Sequence, residues 1–306
     1  MRWREVSSAN PPSAQPVLDA DETDVWVDTE LPTAEYDRLA EWFVGRDDVW
    51  LHLRQHGAPD LSPLRHFPGL RRLVVTNLRL QSWDGIEHVA DSLEHIGMGD
   101  TTLKPISVAP LGRLTRLKSL GLSGPVKHGE VVGSLTTLEH LTLRSVRIDH
   151  AAVIPKLMGL TTFNLHLGSA DPDLSWLAAL PRLTELEIWR VRGVTDLGPL
   201  GDLATVRRLS LQSMRAVTAL PSFAGASSLT RVALDAMKGI TDLSGLADAP
   251  AVEELWLVEM PQLEPEALRP LVGHPTLRYG VWGLGSVRKN DAAYELLPLR
   301  RREPAG

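Results

Sequence analysis

The sequence predicts an α/β solenoid: a stack of coils, each giving one short parallel strand to a concave sheet and one short helical or 3₁₀ turn to the outer, convex side. Three observations predict it. A phrase of the form leucine-x-x-leucine-x-leucine returns with starts at Leu70, Leu93, Leu117, Leu138, Leu160, Leu183, Val206, Leu229 and Val252. The steps between starts are 23, 24, 21, 22, 23, 23, 23 and 23 residues. A fixed period of that size means stacked units, none able to bury its apolar face alone. Between the phrases a second pattern recurs, as Asp60-Leu-Ser-Pro-Leu64, Asp173-Leu-Ser-Trp-Leu177, Asp196-Leu-Gly-Pro-Leu200 and Asp242-Leu-Ser-Gly-Leu246. An aspartate there offers its carboxylate to the first free amides of a helical turn.

Residues 1–20 contain three prolines and little periodicity, and read as a flexible N-terminal lead. Val25 and Val27 then alternate with polar neighbours, as in a half-buried strand. Thr33 stands where it can cap a helix whose apolar positions are Tyr36, Leu39, Ala40, Phe43 and Val44, with Gly45 at its end. Residues 21–47 thus read as a strand-helix cap over the first coil. The repeats occupy 48–283, about 11 units of ~23 residues, from Val49-x-Leu51-x-Leu53 to a degenerate last copy, Leu277-x-x-Gly280-x-Trp282. Within them 83–93 looks more helical, and Thr101 to Val108 carries no repeat phrase. Residues 284–306 read as a C-terminal cap, with a helix over Asp291 to Leu299, and a frayed tail.

Composition excludes several function classes. There is no cysteine, which removes disulfides, thiolate catalysis and cysteine-ligated zinc. A net charge of −6 opposes nucleic-acid binding, which needs a basic face. Met1 to Pro16 is polar, and no window approaches the roughly 18 apolar residues of a membrane span. The expectation is a cytoplasmic monomer with no membrane association.

The repeated phrases closely resemble those of the leucine-rich-repeat family over roughly residues 48 to 283. Most members carry asparagine three residues after the last strand leucine, bridging the backbones of adjacent coils. This chain has Val146, Val191, Met214, Met237 and Met260 there. Met214-x-x-Val217-x-x-Leu220-Pro resembles the plant immune-receptor variant, and the stretch from Ile240 to Leu243 resembles bacterial internalin-like repeats. Nucleotide-binding motifs of immune receptors and the cysteine chemistry of leucine-rich ubiquitin ligases are absent, so neither activity carries over.

If the strands stack in parallel about 4.8 Å apart, the residues flanking the buried leucines form three columns on a sheet about 50 Å long. Gly97, Gly99, Ser119, Gly121 and Ser123 make a nearly bare floor. Such a floor suits close approach by another backbone, or the room needed by a tight bend. Beside it fall His140, Arg144, Asn164, His166, Glu185, Glu187, Trp189, Arg208, Gln212, Arg231, Asp235 and Trp256. Aromatic and arginine side chains among hydrogen-bonding groups are the usual composition of an interaction hot spot. Pairing across the sheet, as between Glu187 and Arg208, is the competing explanation. His140, His166 and Glu187 also suit acid–base work or a metal, but an open sheet leaves such a site wet. The remaining histidines, His56, His66, His88, His128, His150 and His274, fall in turns and read as solvated. Trp176 reads as packing on the outer side.

The sequence therefore predicts a non-catalytic module that binds a protein or peptide on the concave face, with no metal and no cofactor. An enzyme or small-molecule binder using His140, His166 and Glu187, and a self-assembling structural protein, are the alternatives.

Overall fold

The computed structural model describes residues 2–54, 59–99, 104–170 and 172–301, which form two compact units, 1–148 and 149–306. Part of the 101–108 interval, the segment around His56 and residues 302–306 of the expected frayed tail lie outside the described residues.

Unit 1–148 holds seven strands of one parallel sheet: β1 (Arg2–Val6), β2 (Glu22–Val27), β3 (Trp50–Leu53), β4 (Arg72–Val75), β5 (His95–Met98), β7 (Ser119–Ser123) and β9 (His140–Arg144). Two short strands, β6 (Ile106–Ser107) and β8 (Val126–Lys127), pair apart from it. Unit 149–306 contains β10 (Thr162–His166), β11 (Glu185–Trp189), β12 (Arg208–Gln212), β13 (Arg231–Asp235), β14 (Glu254–Val258) and β15 (Tyr279–Trp282), parallel and in sequence order. The return path of most coils is a 3₁₀ segment, such as Ser62–His66, Ser175–Ala179 or Gly198–Asp202.

Alternation explains the core. The two apolar positions of each strand point inward, and pairs such as Leu73 and Val75, Leu141 and Leu143, Leu186 and Ile188, and Leu255 and Leu257 are at most 2% exposed. Each such side chain contributes roughly 1.5–3 kcal/mol when fully buried. The predicted aspartates do cap, one residue earlier than a simple N-cap. Asp60, Asp173, Asp196 and Asp242 precede the capping leucine and accept from the backbone N–H two residues on, at 2.8 to 2.9 Å. Ser175 and Ser244 add a hydroxyl bond to the same carboxylate at 2.7 Å.

The residue after β7 and after each of β9 to β14 is left-handed: Gly124 and Ser145 in the first unit, then Leu167, Arg190, Ser213, Ala236 and Glu259 in the second. This turn swings the amide out of line so that it donates to the strand end of the next coil. Arg190, Ser213 and Ala236 reach the carbonyls of Gln212, Asp235 and Val258 at 2.8 to 2.9 Å. The next amide meets the position where the resembled family carries asparagine. Here a thioether does the bridging: Met214 N–H donates to Met237 Sδ at 3.4 Å, and Met237 N–H to Met260 Sδ at 3.2 Å. Gln262 completes the column by donating to the carbonyls of Met237 and Ile240.

Several elements differ from expectation. The N-terminal lead contains β1, because Val6 is fully buried and Arg4 grips Glu22 through two hydrogen bonds of 2.6 and 2.9 Å. Helix α1 (Thr33–Glu41) takes Pro32 as its cap rather than Thr33, and buries Tyr36 and Leu39 but leaves Val44 exposed. Only Ile86–Val89 is helical in 83–93, as one 3₁₀ turn. A short helix α2 (His150–Val153) opens the second unit. The final helix, α3, spans Val287–Leu296, starting four residues before the expected 291, because Ser286 accepts from Lys289 N–H. Arg300 then bonds alongside Tyr279 and covers backbone at the β15 edge. His150 is buried and stacks on Trp176, which also meets Phe163 edge-on; His66 stacks on Tyr36 and lies 2.6 Å from Asp37. Those two histidines pack rather than float in solvent.

Two stability measurements follow. Met237→Leu keeps the volume but orphans the Met214 amide, so it should cost about 1–2 kcal/mol in chemical unfolding, more than Met98→Leu in a strand. Ala236→Gly relieves a left-handed alanine at φ 50° and should raise stability by about 0.5 kcal/mol after the unfolded-state entropy of glycine is counted.

Candidate recognition surface

The outward side chains of the second unit lie in strict register. Asn164, Glu187, Ser210, Ala233 and Trp256 form one row; Glu185, Arg208, Arg231 and Glu254 another; His166, Trp189, Gln212 and Asp235 a third. Registry decides the pairing. Arg208 faces Glu185 at 3.2 Å, whereas Glu187 faces His166 at 3.0 Å, so the expected Glu187–Arg208 pair is not made. The counterparts of Glu187 in the adjacent coils are Asn164 and Ser210, neither of them charged, and it reaches His166 on the diagonal instead. His166 holds the Glu187 carboxyl below its ordinary range, against the opposing effect of burial.

The two indoles differ. Trp256 donates to Glu254 at 2.7 Å, lies under the Arg231 guanidinium at 5.0 Å, and Arg231 in turn bonds Glu254 at 2.7 Å. That tryptophan belongs to a closed set of contacts. Trp189 has only the edge of His166 against its ring, at 5.4 Å, and among the described residues no acceptor for its indole N–H. Gln212 bonds Asp235 at 2.9 Å, and burial followed by the neighbouring Glu259 charge raises the Asp235 carboxyl.

The first unit carries His140, Arg144 and the glycine floor. A Cβ added at Gly97 would touch only Val74 at 3.5 Å, and one at Gly121 only Gly97 and backbone at 3.6 Å or more. Packing therefore does not require glycine at either position. At Gly99 it does, because a Cβ would meet Thr76 Oγ1 at 2.5 Å.

Next to that floor is an aromatic row that the sequence columns only partly revealed. Trp26 stacks on His52 at 5.0 Å, and Trp50 lies between His52 and His95 at 6.5 and 5.8 Å. Arg54 covers Trp26 and Arg72 covers Trp50. Burial keeps the His52 ring below its usual pKa despite Asp24 at 2.9 Å; burial, then Arg72, does the same for His95. Both rings are thus neutral at pH 7 and extend the apolar surface. Trp26 stands outside the sequence columns because β2 lacks the repeat phrase, although the Val25–Val27 alternation marks its face.

Among the described residues, no cluster of three His, Asp or Glu is placed to hold a metal, and no helix is long and apolar enough to cross a membrane.

No family model matches the sequence, and no curated protein matches it. Solved structures do share its fold. An internalin, InlF from Listeria monocytogenes, aligns over 85% of this chain and 78% of its own, with TM-score 0.57 and 17% identity. Mouse RP105, solved in complex with MD-1, aligns over 86% and 47%, with TM-score 0.61 and 15% identity. A TLR13–ssRNA13 complex aligns over 92% and 50%, with TM-score 0.56 and 13% identity. The fold is that of the leucine-rich-repeat proteins.

His166→Ala should move the Glu187 carboxyl midpoint up towards the ordinary glutamate value, as followed by carbon-13 NMR. A depressed carboxyl contributes stability above its unfolded pKa and loses it as pH falls through the folded value. The variant should therefore lose a small part of its acid-side stability slope, and an unmoved Glu187 midpoint would contradict the pairing.

Proposed function

We propose that this chain is a non-catalytic module that binds a protein or peptide on the open strand face of its leucine-rich-repeat sheet, centred in the second unit. The observation that carries this reading is Trp189. Its indole stands on the sheet with an unused donor, near the paired side chains Glu185–Arg208, Gln212–Asp235 and Arg231–Glu254. An amphipathic ring with a free N–H is the group a partner most profitably covers. His166, Glu187, Arg208 and Gln212 supply hydrogen-bonding groups around it, with Asn164, Glu185, Arg231, Asp235 and Trp256 forming a pre-ordered surround. Ordered surrounds lower the entropy lost on association.

In the first unit, Gly97 and Gly121 give an approach to bare backbone, with Gly99, His140 and Arg144 beside it. The absence of any packing need for the first two glycines supports an extended segment lying there. RP105 was solved with a protein partner, which is in keeping with this use of the fold.

The test is capture and titration of a partner from the native source. Trp189→Ala with Arg208→Ala should weaken the captured protein's affinity at least about thirtyfold, on the order of 2 kcal/mol, in calorimetry. Undiminished affinity would place the binding surface elsewhere.

A further inference from the structure

We infer that a cleft at the ends of β11, β12 and β13 is a phosphate-recognition site, taking a small ligand with adjacent phosphoryl groups. The cleft lies wholly in the second unit, has a volume of about 920 Å³, and is lined by Arg190, Arg192, Arg215 and Lys238 with the Trp189 ring at its side. Glu259 is the one carboxylate in its lining. Four cations against one anion leave three positive charges uncompensated, in a chain of net charge −6.

Among the described residues, single cations such as Arg182, Arg207 and Arg278 also stand without an ion pair, but here four of them line one cleft. On the neighbouring sheet face Arg208 pairs with Glu185 and Arg231 with Glu254, and Lys289 in the C-terminal helix pairs with Glu264. None of the four cleft cations has a carboxylate within ion-pair reach among the described residues. Holding like charges together without a counter-ion is unfavourable, and a concave setting focuses their field on whatever anion enters. Guanidinium forks also match phosphoryl oxygens two at a time.

Spacing identifies the anion. Arg192, Arg215 and Lys238 occupy one coil position at intervals of 23 residues. The strand register places successive coils side by side, so the column steps by about 4.8 Å. Carboxylates on one face of an extended peptide recur about 6.8 Å apart, out of step with that column. Phosphoryl groups joined through a bridging oxygen are closer than one coil step, so each shares two neighbouring cations. A small phosphate ligand also avoids the repulsion that a long polyanion would meet from an acidic chain.

Calorimetry at low salt with inorganic tripolyphosphate tests this. Arg192 and Arg215 lie outside the proposed partner surface, so the result does not depend on that reading. Wild type should bind, with affinity falling as salt is added. Arg192→Ala/Arg215→Ala should bind at least about tenfold more weakly, with an unchanged unfolding midpoint for the free protein. Lys238→Ala provides the same readout on another coil. ATP should bind at least as tightly as tripolyphosphate, and tighter binding would identify a nucleotide stacking on Trp189 as the source. A hexaglutamate peptide should bind at least about tenfold more weakly than tripolyphosphate. Absent tripolyphosphate binding, binding indifferent to both sets of variants, or an equal affinity for hexaglutamate would overturn the proposal.

Discussion

Each coil leaves behind a row of leucines and a row of backbone amides that only the next coil can satisfy. Most other features follow from that dependence. From β7 to β14 the strand ends so that its last amides still point at the neighbour, and the residue after each sheet strand there is left-handed. Six of the seven residues in that conformation are not glycine, and each costs of order 1 kcal/mol locally. The cost is offset where the redirected amide gains an interstrand bond, as Leu167, Arg190, Ser213 and Ala236 do with the next coil. The conformational strain and the interstrand bond are thus one device.

The methionine column extends the same logic. A sulfur atom is a weaker acceptor than an amide oxygen, so Met237 and Met260 bridge coils with less energy than a carboxamide would. They compensate by burying a full apolar side chain, as both residues are completely excluded from solvent. Gln262, near the last coil, supplies the polar bridging that the methionines do not.

Much of this fold was legible because repetition multiplies weak local signals. A single leucine phrase means little, but nine in register place nine strands and their buried faces. A feature present in one copy carries no such multiplied signal. β1 has no leucine phrase and is held by a specific Arg4–Glu22 contact, which composition does not announce. His150 lies in a turn by sequence, yet it is buried because Trp176, one coil later, presents a flat ring to stack on. Of the candidate surface, the membership of each column was readable and the contacts within it were not. Trp189 and Trp256 look equivalent in sequence, and only the placement of Glu254 distinguishes an engaged indole from a free one.

The period that builds the scaffold also sorts its charges. With a step of 23 residues, Glu185, Gln212 and Arg231 each meet their counterparts in the next coil, while Glu187 reaches His166 on the diagonal. Where counterparts alternate in sign, as Glu185 with Arg208 and Arg231 with Glu254, the column neutralises itself. Where they repeat, as along Arg192, Arg215 and Lys238, the register stacks like charges on successive coils. A self-neutralised column rigidifies the surface around it, whereas a one-sign column is completed only from outside. The strand face and the cleft at its edge are thus two outcomes of one rule. The residues whose counterparts one coil away fail to answer them are the ones on which the proposed recognition rests.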